Sequence, residues 1–223
     1  KNIIHEFVDM DAVQTQFYEN IKNGVVEEVD KVELKPDVVL SLFGRLRQAT
    51  ACPSILTTQN VPSSKIDRAC DLVDQICSND EKVVIFSIYK ETLNVLNDRL
   101  KKYNPLICTG DISDTIINDS IKKFQEDDVH KVMLATTWKM GTGITLTRAS
   151  YEIFIDCEDR CHRIGSKDPV FIYYLWTNNT VDLHVKEIVE TKSLISDYMI
   201  DNQIPKQLTD KLKNIILDLK EHD

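Results

Sequence analysis

Two arginines three residues apart, Arg160 and Arg163 in Glu158-Asp159-Arg160-Cys161-His162-Arg163-Ile164-Gly165, are the residues in this chain best suited to chemistry on an anion. On a helix that spacing sets both guanidinium groups on one face, so they can converge on a single polyanion such as a nucleoside triphosphate. A planar, permanently charged fork makes bidentate hydrogen bonds to phosphate oxygens. The plainer alternative is a surface helix whose arginines pair with carboxylates. A second candidate is Thr136-Thr137-Trp138-Lys139-Met140-Gly141-Thr142-Gly143-Ile144-Thr145-Leu146-Thr147, dense in Gly and Thr. Glycine lets a backbone approach a ligand closely, and threonine hydroxyls bond phosphate without net charge. Read alone, this stretch also fits an ordinary connecting loop. The chain has no Gly-x-x-x-x-Gly-Lys-Ser/Thr cradle and no Gly-x-Gly-x-x-Gly turn, so it does not hold a nucleotide alone in the usual way. Cys157, Cys161 and His162 lack a second ligand pair at zinc spacing, and no metal site is expected.

Short apolar runs alternating with amphipathic helices have to position these groups, a pattern that predicts an open parallel sheet covered on both faces. Helix 64–78 leads to Lys82-Val83-Val84-Ile85-Phe86-Ser87, helix 91–103 to Leu106-Ile107-Cys108, and helix 114–126 to Lys131-Val132-Met133-Leu134-Ala135. Two further runs, 153–155 and 170–175, complete an expected five-stranded sheet. Ligands of such sheets lie beyond the carboxyl ends of the strands, here Ser87, Thr109-Gly110, Thr136-Thr137 and Asp156. Upstream, residues 2–10 alternate like a strand, 12–23 read as a helix, 24–35 as a polar acidic stretch, and Pro36 opens a helix that Cys52-Pro53 ends. A linker over 57–62 puts the main boundary near Val61, giving an accessory segment 1–60, a principal domain 61–200 and a terminal helix 201–223.

Composition limits the function. With 223 residues, 42% hydrophobic and 28% charged, the chain can bury a core without staples. No apolar run is long enough to cross a bilayer, and no signal peptide is evident. The 6 cysteines show no repeated spacing, which fits a reducing, cytoplasmic setting. A formal charge of -9 excludes coating of nucleic acid by bulk electrostatics but leaves room for a local site within roughly 8 Å, the screening length.

The order of these segments resembles the second RecA-like lobe of superfamily II helicases, specifically the Swi/Snf-type DNA translocases. KVVIFSIY at 82–89 looks like motif IV, GTGITLT at 141–147 with Ala149 like motif V, and EDRCHRIG at 158–165 before an apolar strand like motif VI. RLRQATACP at 45–53, SSK at 63–65, ICTGDIS at 107–113 and IKKF at 121–124 resemble the intervening family segments, so the likeness runs from about Lys1 to Lys192. The chain departs from the family pattern with Ile117 in place of an arginine and Thr145 in place of an asparagine. It also lacks about a dozen residues between Asp156 and the Asp159-Arg160 pair, which leaves that crossover near the minimum length for parallel strands.

The resemblance implies ATP with Mg2+ bound mainly by a first lobe outside this chain. It makes Arg160 and Arg163 arginine fingers, and puts Gly141, Thr142, Gly143 and Asp159 at the nucleotide cleft. Ser87, Tyr89, Thr109, Gly110, Thr136, Thr137, Lys139 and Arg148 would contact duplex DNA. The lobe alone would be inactive, with no membrane partner. Two other readings stay open at this stage: a RecA-like interaction domain that hydrolyses nothing, and a nucleotide-dependent transferase of another α/β family.

Overall fold

Val83–Ser87 (β2) and Val132–Thr136 (β4) are buried at every position, as strands enclosed on both faces must be. In the computed structural model of the protein, residues 2–31, 34–137, 148–156, 170–190 and 206–219 are described. The remaining strands are Asn2–Val8 (β1), Leu106–Cys108 (β3), Tyr151–Phe154 (β5) and Phe171–Thr177 (β6). Among the described residues the sheet has six strands, not five, in the order β1-β6-β5-β2-β4-β3. The additional strand is β1: Asn2 N–H donates to Val170 O at 2.8 Å and Asn178 N–H to Val8 O at 2.9 Å, so β1 runs parallel to β6. Its alternation was legible, but its place at the far edge depends on a pairing more than 160 residues distant in sequence.

Among the described residues the helices are Ala12–Lys31 (α1), Pro36–Ala51 (α2), Ser64–Ser78 (α3), Lys90–Arg99 (α4), Asp114–Glu126 (α5), Val181–Glu190 (α6) and Lys206–Asp218 (α7). The chain divides into two compact units, Lys1–Phe7 with Lys65–Trp176 and Val8–Ser64 with Thr177–Asp223.

In the first unit β2 is followed by α4 and β3, and the chain then reverses through α5 to β4, which lies between them. Right-handed crossovers in opposite directions put α4 and α5 on opposite faces of the sheet. Arg99 pairs with Asp67 and Lys102 with Asp74 (2.9 Å), stitching α3 to the α4 end. Phe86, Phe154 and Tyr174 stand in register on β2, β5 and β6 and stack at 4.9 and 5.0 Å, extended to His5 on β1 at 5.5 Å. Burying such rings contributes roughly 2–3 kcal/mol each. Asp80 and Asn104 adopt left-handed backbone (φ 63 and 49) where the chain turns into β2 and β3, a conformation Asn and Asp tolerate better than other side chains.

The second unit packs α2 against α1, α6 and α7. Helix α1 continues to Lys31 through the stretch that reads as polar, because Val25, Val26 and Val29 extend its buried stripe beyond Tyr18. Pro36 is the first residue of α2, where its missing N–H costs nothing. Gln14, fully buried, donates to the Ala49 and Thr50 carbonyls (3.2 and 3.3 Å) and accepts from Ser64 N–H at 2.9 Å. Asp182 accepts from the Thr50 hydroxyl (3.1 Å) and Thr177 N–H (2.9 Å). Tyr18 OH accepts from Val181 N–H at 2.9 Å, and burial pushes its phenol far above the ordinary range.

Candidate nucleic-acid interface

All the strand pairings described from β3 to β6 are parallel, so these strands deliver their carboxyl ends to one edge. Ser87 is the in-register neighbour of Thr136, and Cys108 of Ala135, which sets Thr109 beside Thr136. The edge therefore presents a row of hydroxyls, Thr109, Thr136 and Ser87, followed by Thr137; all four residues are buried.

Asp156 leaves the end of β5 and closes the row. Its Oδ2 accepts from the Ser87 hydroxyl at 2.6 Å and its Oδ1 from Ile88 N–H at 2.8 Å. The Ser87 oxygen in turn accepts from Tyr89 N–H at 3.0 Å. It also lies 3.1 Å from the Tyr89 carbonyl, but its single hydrogen goes to the charged, closer acceptor. Ile155 is held from both sides, its N–H donating to Phe86 O at 3.0 Å and its carbonyl accepting from Lys65 Nζ at 2.9 Å. The turn from β2 into α4 is thereby fixed, with half-buried Tyr89 as the residue before the helix and no side chain capping it.

At the neighbouring turn Thr109 donates to Asp111 Oδ1 at 2.6 Å, and Lys90 pairs with Asp111 Oδ2. The Lys90 ammonium, then the Thr109 hydroxyl, hold the Asp111 carboxyl down to about 2. Gly110 between them is exposed, and a Cβ there would meet no atom within 4 Å, so the backbone at this turn is open to approach from outside.

Ser87, Tyr89, Thr109, Gly110, Thr136 and Thr137 are thus brought together. Arg148 is not among them. It precedes β5, at the amino ends of the strands, where its guanidinium pairs with Asp128 at 2.5 Å and its N–H donates to Gln125 Oε1 at 3.0 Å. Its position beside the Gly-Thr stretch in sequence gave no sign that the chain crosses to the opposite end of the sheet. Lys139, Gly141, Thr142, Gly143, Asp159, Arg160 and Arg163 lie outside the described residues. Ile117 is 3% exposed on α5, so the arginine expected at that position is replaced by a core side chain. Among the described residues no group of three or more His, Cys, Asp or Glu is placed to hold a metal ion, and no helix is long and apolar enough to cross a membrane.

The helicase conserved C-terminal domain matches residues 64–184, more than half of the sequence and all of β2 to β6. The chain belongs to this helicase family. The ATP-dependent helicase fft1 of Schizosaccharomyces pombe is 30% identical over 164 residues, covering 67% of this chain and 17% of the relative. The first curated relatives are matched over only 17% to 25% of their length. The C-terminal part of the Fun30 ATPase domain superposes with a TM-score of 0.78 at 19% identity, covering 100% of this chain and 98% of that one. The Sulfolobus solfataricus SWI2/SNF2 ATPase core in complex with dsDNA gives 0.76 at 20% identity, over 95% of this chain and 49% of that one. The fold is that of the RecA-like C-terminal lobe of SWI2/SNF2 ATPases.

Three residues that help hold this edge were not singled out as site residues from sequence: Lys65, Lys90 and Asp111. Lys65 left a trace, a lysine one residue before the buried Ile66 on the inward stripe of an amphipathic helix. Lys90 and Asp111 left none, because their pairing joins turns 21 residues apart.

Proposed function

We propose that this chain is the second RecA-like lobe of an ATP-driven translocase or helicase acting on duplex DNA. The observation that carries the reading is the helicase-family match over 64–184. The row of hydroxyls and backbone donors at the carboxyl edge of the sheet supports it, as does the dsDNA complex of a structural relative. ATP with Mg2+, bound mainly on the first lobe, supplies the phosphoanhydride to be cleaved and neutralises part of its charge.

Arg163 and Arg160 act as fingers that stabilise the negative charge developing in that cleavage, while Gly141, Thr142, Gly143 and Asp159 line the cleft. Ser87, Tyr89, Thr109, Gly110, Thr136 and Thr137, with Lys139, face the phosphates of one DNA strand. Neutral polar groups suit an edge of a protein whose net charge is -9, since contact through them needs no large basic field. The lobe alone lacks a phosphate cradle, so it hydrolyses no ATP and binds duplex DNA weakly. The full-length protein works in the compartment that holds its DNA.

The test is steady-state ATP turnover of the full-length protein with saturating duplex DNA. Arg163→Ala lowers turnover by about 1,000-fold or more, the scale of an arginine finger, with the melting midpoint and DNA affinity nearly unchanged. Arg163→Lys restores little, because charge without the planar fork does not match the phosphate oxygens. Turnover within a few-fold of wild type in the alanine variant would remove Arg163 from that role.

A further inference from the structure

Lys65 is 1% exposed, and burying an ammonium is costly unless its hydrogen bonds are put to use. An apolar side chain of the same length would keep the packing of α3 without the desolvation penalty. What the lysine secures is therefore of interest. Its Nζ donates to the Ile155 carbonyl at 2.9 Å, the last backbone acceptor before Asp156. From Asp156 the hydrogen bonds pass to the Ser87 hydroxyl at 2.6 Å and Ile88 N–H at 2.8 Å, and from the Ser87 oxygen to Tyr89 N–H at 3.0 Å. A single chain of bonds thus runs from a buried cation on α3, through the end of β5, to the turn that opens α4.

We propose that Lys65 and Asp156 are positioning residues that fix the Ser87–Tyr89 turn for contact with a DNA phosphate; the inference rests on the duplex-DNA reading above. Neither residue touches the nucleic acid in this scheme. Lys65 sets where Ile155 and Asp156 stand, and Asp156, by accepting from the Ser87 hydroxyl and Ile88 N–H, holds the turn from which the first N–H groups of α4, capped by no side chain, project. Without Lys65 the Ile155 carbonyl loses its partner and the end of β5 is free to shift. Without the carboxylate one of its two donors, Ser87 or Ile88, must find another acceptor. In either case the turn and the uncapped first N–H groups of α4 have to be ordered on binding, which weakens contact without removing a charge from the DNA-facing surface.

The experiment uses full-length protein carrying Lys65→Met or Asp156→Asn. Duplex-stimulated ATP turnover is read as a function of DNA concentration, direct binding of a labelled duplex is followed across a salt series, and a thermal melt accompanies both. Each variant raises the half-saturating duplex concentration by about tenfold, the scale of one hydrogen bond to a charged group. The change falls on half-saturation more than on turnover at saturating duplex. The slope of log affinity against log salt stays that of wild type, because that slope counts charges neutralising phosphates. Unchanged half-saturation in both variants overturns the proposal. So does a shallower salt slope in Lys65→Met, which would make the lysine itself a phosphate contact. Should Lys65→Met fail to fold, Asp156→Asn decides by the same readings. Wild-type turnover indifferent to duplex DNA overturns the duplex-DNA reading and this inference together, and because it shows in the wild type it is distinct from a failure of the positioning role alone.

Discussion

The two ends of the parallel sheet are built differently. At the amino ends, Lys82, Lys131 and Arg148 enter just before β2, β4 and β5, and each finds protein acceptors: Lys82 the Phe124 and Asp127 carbonyls, Lys131 Asp80 at 2.5 Å, Arg148 Asp128 at 2.5 Å. At the carboxyl ends the strands finish in hydroxyls, Ser87, Thr109 and Thr136, with two carboxylates committed to holding turns, Asp156 on Ser87 and Ile88 and Asp111 on Thr109 and Lys90. Full charges satisfied within the chain make the first end a structural seam. Polar turns ordered by neighbours, with exposed Gly110 beside them, make the second the end suited to a partner outside the chain. The net charge of the whole chain, -9, says nothing of this difference.

The contrast is broken most forcefully at Lys82. Its ammonium donates to Phe124 O at 2.6 Å and to Asp127 O, closing the carboxyl end of α5, and sits 5.0 Å from the centre of the Phe124 ring. A cation there satisfies carbonyls that a helix end leaves open and meets the negative end of the helix dipole. Burial, with the charge of Arg148 nearby, lowers the Lys82 ammonium from its ordinary range. Lys82→Met keeps the stem and removes the donors, costing about 1–3 kcal/mol of stability in a denaturant melt. Half-saturation by duplex DNA should not move. A variant as stable as wild type, or one with weakened DNA binding, would contradict the division between the two ends.

How much of this division could be read in advance depends on the range of the interaction. The continuously apolar runs that become β2 and β4 were legible because burial on both faces leaves no alternation, and the carboxyl-end residues followed from the rule for open parallel sheets. Pro36 and Cys52-Pro53 marked both ends of α2 locally. Residues 24–31 were misread as irregular: the acidic side chains of Glu27, Glu28 and Asp30 mask the helical spacing of Val25, Val26 and Val29. Arg148 was grouped with its sequence neighbours although the sheet carries it to the other end. Lys65 is legible only as part of SSK at 63–65 and by its place beside Ile66 on the inward stripe of α3, because its partner Ile155 lies 90 residues away.

Arg148 gives the next, smaller test. As a half-exposed ion pair with Asp128, it contributes at most about 1 kcal/mol to stability. Arg148→Ala should change duplex affinity by less than about twofold and leave the salt slope intact, since a cation at the amino end neutralises no phosphate. A slope reduced by about one unit would mean that DNA reaches the amino ends of the strands, and the contrast would fail.

The smallest effect lies in a titration. Asp111 at the carboxyl edge and Asp80 at the amino edge are both held below the ordinary carboxylate range, Asp111 chiefly by Lys90 and then Thr109, Asp80 by Lys131. A carboxyl depressed in the folded state contributes stability that is fully present above its unfolded value, about 3.9, and is lost as pH falls through the folded one. For Asp111 the folded value is about 2, so the loss falls between those two values. Lys90→Met removes the larger cause and leaves the Thr109 hydroxyl, so the Asp111 midpoint rises only part of the way toward 3.9 and the window in which stability is lost narrows from below. Asp80, tied to the other end, should not respond. Carboxyl-carbon NMR titration of the two residues in wild type and variant reads both midpoints at once. An Asp111 midpoint unmoved by Lys90→Met, or an Asp80 midpoint that moves with it, would show that the charges at the two ends are not the separate local sets their pairing distances describe.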